Sequence, residues 1–321
     1  MPARVLLFEH VNLNISPGRL NDARALFIDA LGLLEDPRPA SRGRKTTLLW
    51  CNAGLCQFHL PQDTTVEEDL SELVMQRIPG ELTLTIPPGS MAATAARLTS
   101  AGVAFAFITT DTDTDTDTHS HSHCRVSAPC CDIVLRELTE TEVTAVRDAM
   151  VGCVGHPGAT PLSPADLSLS PVNISRITVR VQAAQLPTVA AFWREIIGAE
   201  VQVQADNDET TTTTTMVSVR GGFTGCPQEL VFLDSSSLSP LPYLGDPSGG
   251  ADQWHIAFYI DDWEGALSRA TAAGVAFDNP RQSDRFIDAL ANNQFRTLEM
   301  GAGGPRLELE IRSRKHPSCP L

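Results

Sequence analysis

Leu186, Val189, Trp193, Ile196, Ile197 and Gly198 follow Leu20, Ala23, Phe27, Ala30, Leu31 and Gly32 at a constant distance of 166 positions. A second segment, RLTSAGVAF at residues 97–105, returns 172 positions later as RATAAGVAF. Two offsets this close imply a chain whose halves were built on one plan, which limits its folds more than any single element does. In each half the patterns alternate between strand and helix periods. Residues 8–15 alternate as a strand, and Ser16, Pro17 and Gly18 break it. The apolar positions from Leu20 to Leu31 then keep one helical face before Gly32. Residues 46–50 and 55–60 form a hairpin pair, and residues 81–86 alternate again up to Pro87, Pro88 and Gly89. Ser90 is the expected N-cap of an alanine-rich helix to about residue 100, with strands following at 103–108 and 132–138.

The expected fold is therefore α+β, made of four βαβββ modules at about residues 5–60, 80–138, 173–234 and 253–312. Two domains are expected, residues 1–138 and 173–314, each with two modules. Residues 139–172 are the linker, a short helix and a loop.

Composition narrows the partners. With 24 basic and 39 acidic residues the net charge is −15, which excludes the basic surface that phosphate-backbone binding needs. No run approaches the roughly 20 apolar residues of a membrane helix, so neither nucleic acid nor membrane is an expected partner. The N-terminal residues enter a strand at once, and the protein is read as cytoplasmic. Eight scattered cysteines without CxxC spacing read as buried or free thiols. The Asp/Thr tract at 111–118, the His/Ser run after it and the threonines at 210–215 read as solvated loops rather than metal sites.

Three strands carry chemistry. In WHIAFYIDD, Ile256, Phe258 and Ile260 alternate with His255, Ala257 and Tyr259, so His255 faces away from the apolar row. In RLELEI, Leu307, Leu309 and Ile311 alternate with Glu308 and Glu310. FEHVNLNI adds His10. Two imidazoles and a carboxylate on cleft faces are ligands for a divalent cation.

These stretches, with LFIDALGL after the first, resemble the vicinal oxygen chelate superfamily: glyoxalase I, extradiol dioxygenases and bleomycin resistance proteins. The resemblance implies paired modules forming two barrel-like clefts, with a metal held near the start of first strands and on last strands. Residue by residue it points to His10 and Gln57 in module one and Glu81 and Val134 in module two. It points to Arg176 in module three, and to His255 and Glu308 in module four. The glyoxalase-type pairing of module one with four, and two with three, would gather His10, Gln57, His255 and Glu308 around one divalent ion (Zn, Ni, Co, Mn or Fe). The other cleft would hold Glu81, Arg176, Val134 and Arg136, with Glu81 and Arg176 as an ion pair.

The resemblance implies a metal-dependent enzyme acting on a small oxygen-bearing metabolite, a glyoxalase-like lyase or isomerase by architecture. Gln57 is an amide and no general base, which leaves His59, two positions on, as the candidate catalytic base. Two alternatives stay open: an Fe(II) dioxygenase using two His and one carboxylate, and a non-catalytic small-molecule binder of the bleomycin-resistance type. Because one chain supplies both module pairs, a monomer is expected.

Overall fold

The computed structural model describes residues 3–41, 43, 46–63, 73–108, 123–151, 170–206, 214–223, 226–235, 254–275, 294–297, 300 and 307–315. The Asp/Thr tract, the His/Ser run before His123, residues 210–213 and most of the expected linker lie outside them.

Module one contains β1 (Val5–Asn12), a helix α1 (Leu20–Arg24) that continues as a π-helix (Ala25–Ala30), β2 (Leu34–Glu35), α2 (Arg38–Ser41), β3 (Leu48–Ala53) and β4 (Cys56–Pro61). Module two contains β5 (Gly80–Ile86), α3 (Met91–Ser100), β6 (Phe105–Ile108), β7 (His123–Ser127) and β8 (Asp132–Glu137), followed by α4 (Glu140–Val151). Module three contains β9 (Asn173–Val181), α5 (Leu186–Ala191) continuing as a π-helix (Phe192–Ile197), β10 (Val201–Asp206), β11 (Thr214–Phe223) and β12 (Cys226–Asp234). Module four contains β13 (His255–Ile260), α6 (Trp263–Ala272), β14 (Gln294–Thr297) and β15 (Glu308–Ser313).

The strands make two sheets. One runs β14-β15-β13-β1-β4-β3-β2 and joins modules four and one; the other runs β10-β11-β12-β9-β5-β8-β7-β6 and joins modules three and two. At the centre of each, two first strands pair antiparallel: β1 with β13, and β5 with β9. Each first strand also pairs parallel with the last strand of its own module. Residues 245 positions apart, His10 and His255, are thereby carried on neighbouring strands.

The helices at Leu20 and Leu186 share their form. Each passes from α to π winding and ends at a glycine of positive φ, Gly32 at 79° and Gly198 at 82°, the conformation that glycine adopts without a Cβ clash. The recurring arginine of the nine-residue segment meets these ends. Arg269 donates from Nε to Ile196 O and from Nη2 to Ile197 O, both at 2.9 Å, satisfying carbonyls that the helix leaves open. The Arg97 guanidinium lies against Gly32, where an added Cβ would fall 2.6 Å from Nη2.

A buried aromatic cluster fixes the module-three helix to the sheet of modules one and four: Trp193 and Phe258 are 5.0 Å apart, Phe8 and Phe258 5.9 Å. The sheets also meet at Gln228 of β12. Its amide accepts from Phe8 N at 2.8 Å and donates to Phe8 O at 2.9 Å and Ile174 O at 3.0 Å. Every residue of β1 is buried, so the strand shows no exposed polar face despite its alternating sequence.

In the second sheet, the expected Glu81–Arg176 pair is replaced by two others. Glu81 Oε2 meets Arg125 Nη2 at 3.0 Å, and Glu229 Oε2 meets Arg176 Nε at 3.4 Å. The register explains it: Glu81 stands opposite Thr178 and Arg176 opposite Thr83, whereas Glu229 is directly beside Arg176. Asp132, rather than Val134, is beside Glu81, the place that Glu308 takes beside His255.

Candidate metal centre

Two cross-strand rows build the site. His10 of β1 faces Ala257 of β13, which faces Glu310 of β15; Asn12, His255 and Glu308 make the next row. Ala257 is small, so the side chains of His10 and Glu310 meet above it. His10 Nε2 is 3.2 Å from His255 Nε2, and Glu310 Oε2 is 3.6 Å from the same His255 nitrogen. One ligand atom from each of His10, His255 and Glu310 falls within 4.8 Å of the others, and this is the only such triad that includes these strands among the described residues. All three side chains are buried.

A β-bulge adds a fourth residue. The register of β1 against β13 shifts between Phe8 and His10, leaving Glu9 as the extra residue. Glu9 Oε2 sits 2.9 Å from His10 Nδ1, so that nitrogen carries the proton and Nε2 presents its lone pair to the cluster. Arg312, two residues past Glu310 on the same face of β15, binds the same Glu9 oxygen through Nη1. Its Nε and Nη2 reach Glu310 Oε1 at 2.6 and 2.5 Å, and Nη1 reaches the Tyr259 hydroxyl at 3.2 Å. Burial works to lower the Arg312 pKa, but Glu310, Glu9 and Tyr259 outweigh it and push the pKa up. Glu308 lies on the other side of the His255 ring, its Oε1 3.9 Å from Nδ1.

Gln57 and His59 occupy the β4 side. The Gln57 amide nitrogen donates to Asp36 Oδ2 at 2.9 Å and Asn52 Oδ1 at 2.6 Å, and Asp36 is further held by Arg38. A carboxylate only accepts, which fixes the orientation of the Gln57 amide and turns its oxygen to His59 Nε2 at 3.1 Å. His59 therefore donates from Nε2 and keeps Nδ1 as its acceptor. Its ring stacks on His10 at 3.9 Å and on Trp50 at 4.4 Å, and Arg38 lies over Trp50. Burial first, then the neighbouring His10, holds the His59 pKa well below its ordinary 6.5 and keeps the ring neutral.

The structure thus brings His10, His255, Glu308 and the neighbouring His59 into one cluster of side chains, with Gln57 engaged in the Asp36 network. Glu310, Glu9 and Arg312 join the cluster beside the residues expected there. Glu310 was visible as the second acid of LELE. Nothing in the sequence announces the bulge that turns Glu9 inward.

Residues 174–286 match the family model of the Glyoxalase/Bleomycin resistance protein/Dioxygenase superfamily. Glyoxalase I from Zea mays is similar in structure with a TM-score of 0.52 and 12% identity, over 97% of this chain and 92% of that one. A candidate dioxygenase from Bacillus subtilis subsp. subtilis str. 168 gives a TM-score of 0.50 and 16% identity, over 97% and 86%. No curated protein matches the chain. No helix among the described residues is long and apolar enough to cross a membrane. Residues 174–286 are therefore similar to the Glyoxalase/Bleomycin resistance protein/Dioxygenase superfamily, and the chain as a whole shares its fold with the glyoxalase I structure.

Proposed function

We propose that the protein is a metal-dependent enzyme in which His10, His255 and Glu310 hold one divalent cation, and a small oxygen-bearing substrate takes the open positions. The convergence of three ligand atoms from three strands within 4.8 Å carries this reading. Ligands about 2.1 Å from an ion stand roughly 3.0–3.5 Å from one another, which the 3.2 and 3.6 Å separations approach. The formal charge agrees. Glu9, Glu308 and Glu310 against Arg312 leave a buried cluster at about −2, which a divalent cation offsets.

Two imidazoles and one carboxylate leave positions open, the arrangement of non-haem Fe(II) oxygenases, and this favours a dioxygenase-type reaction. A bound cation would polarise the substrate oxygen and, as Fe(II), admit dioxygen. The chain's own part is to fix the ligands: Glu9 keeps the His10 lone pair inward, and Ala257 leaves the gap over which His10 and Glu310 meet. A second reading, a glyoxalase-like isomerase, is favoured by one observation: neutral His59, its Nδ1 available as acceptor, stacked on His10 where a proton acceptor would serve.

Elemental analysis of protein prepared without a His tag tests the proposal. About one iron per chain supports the oxygenase reading, and zinc, nickel or cobalt supports the isomerase. Failure to retain any divalent ion after reconstitution with each would overturn the metal centre and leave a small-molecule binder.

A further inference from the structure

Arg312 is placed to do more than balance charge. Both Nε and Nη2 of its guanidinium are spent on a single oxygen of Glu310, Oε1, while the other oxygen, Oε2, faces His255. The remaining arm, Nη1, binds the Glu9 oxygen that holds His10 Nδ1, and it also meets the Tyr259 hydroxyl. One side chain therefore bears on a carboxylate ligand directly and on a histidine ligand through Glu9. Tyr259 stands directly beside Arg312 on the parallel strand, with the ring centre 5.8 Å from the guanidinium carbon. The guanidinium is thus held from three sides by Glu310, Glu9 and Tyr259.

Building on the proposed metal centre, we infer that Arg312 is a positioning residue that restricts Glu310 to one ligating oxygen and so keeps coordination positions open for substrate. A carboxylate with both oxygens turned to a cation can chelate it and fill an additional position. Withholding Oε1 prevents this, and a planar guanidinium that places two donors on one oxygen is suited to the task. Glu9 has the separate task of orienting His10, as carboxylates bound to the far nitrogen of a ligating histidine do. The two residues touch each other, yet they act on different ligands, and their variants differ in what they change.

The test uses the full chain reconstituted with Co(II), whose visible absorption weakens as its coordination number rises. Arg312→Ala is expected to weaken Co(II) affinity by tenfold or more and to lower the visible absorption per bound ion, as Glu310 turns both oxygens to it. Arg312→Lys keeps a cation without the fork and is expected to recover part of the absorption. Glu9→Gln is expected to weaken affinity with the absorption per bound ion unchanged, because Arg312 still withholds Oε1. Thermal unfolding of the metal-free proteins controls for folding; should Arg312→Ala fail to fold, the contrast of Arg312→Lys with Glu9→Gln decides. If the parent binds Co(II) and the Arg312 variants show the same absorption per ion, the inference about Arg312 is overturned and the metal centre stands. If the parent binds no Co(II), the metal centre itself fails and the inference with it.

Discussion

Glu310 shares a cross-strand row with His10, the two separated only by the strand that carries Ala257. Glu308 is one row away, beside His255, and faces its Nδ1 rather than the Nε2 turned toward His10. The two acids of one LELE stretch share a strand face but stand differently to the cluster. Glu310→Gln is expected to reduce metal affinity by at least tenfold, and Glu308→Gln to reduce it less. His10→Ala and His255→Ala are expected to abolish retention. Metal content after dialysis checks all four; equal losses for the two Glu variants would count against Glu310 as the ligand.

Ala257 should be intolerant for a reason that concerns the site. Its Cβ points to the side where His10 and Glu310 meet, and the residue is fully buried. Ala257→Leu is expected to cost about 1–3 kcal/mol of stability by overpacking and to remove metal binding by filling the gap. A folded Ala257→Leu variant with unchanged metal affinity would show that the two side chains do not need that space.

Much of this was legible in the sequence because it depends on period. Alternation sets His255 with Ala257, and Glu308 with Glu310, on one face of their strands, and the helix positions from Leu20 to Gly32 and Leu186 to Gly198 mark two helices that share an α-to-π form. What stayed hidden depends on register. Period two cannot tell Glu308 from Glu310, because both satisfy it and only strand pairing decides which one shares a row with His10. The resemblance likewise points to Val134 where strand pairing places Asp132, and its pairing of modules two and three sets Glu81 against Arg176, which stand two rows apart in an antiparallel ladder. A bulge defeats parity altogether. Strict alternation sends Glu9 to the face opposite His10, and the extra residue in β1 brings its carboxylate to the His10 ring.

The thiol of Cys56 gives a pH prediction. Burial raises its pKa from the ordinary 9.0 to about 12, with Glu9 adding to the rise while the Ile174 backbone and Gln228 oppose it. A thiol whose pKa is raised by folding contributes stability that is complete below about 9 and is lost as pH climbs toward 12, since the unfolded chain ionises first. The slope for one such group is at most about 1.4 kcal/mol per pH unit. Urea unfolding from pH 7 to 10.5 is expected to show the parent losing stability faster above pH 9 than Cys56→Ala does. Parallel curves would contradict the thiol's part.

Gln228 ties the sheet of modules two and three to the strand that carries the site. Its side chain is buried and saturates both backbone groups of Phe8, the residue immediately before the Glu9 bulge, while also reaching Ile174 O. A bulged residue has lost part of its ladder, so the backbone beside it depends on such side-chain partners. Gln228→Leu keeps the volume but strands the Phe8 N–H and C=O, each worth roughly 1–3 kcal/mol when buried without a partner. The expected loss is about 2–4 kcal/mol of unfolding free energy in urea, with the denaturant slope unchanged. Because Glu9 orients His10 from the adjoining position, the same variant is expected to weaken Co(II) binding, even though Gln228 contributes no ligand. A variant that loses the stability but binds Co(II) as tightly as the parent would mean that β1 holds its bulge without help from the second sheet.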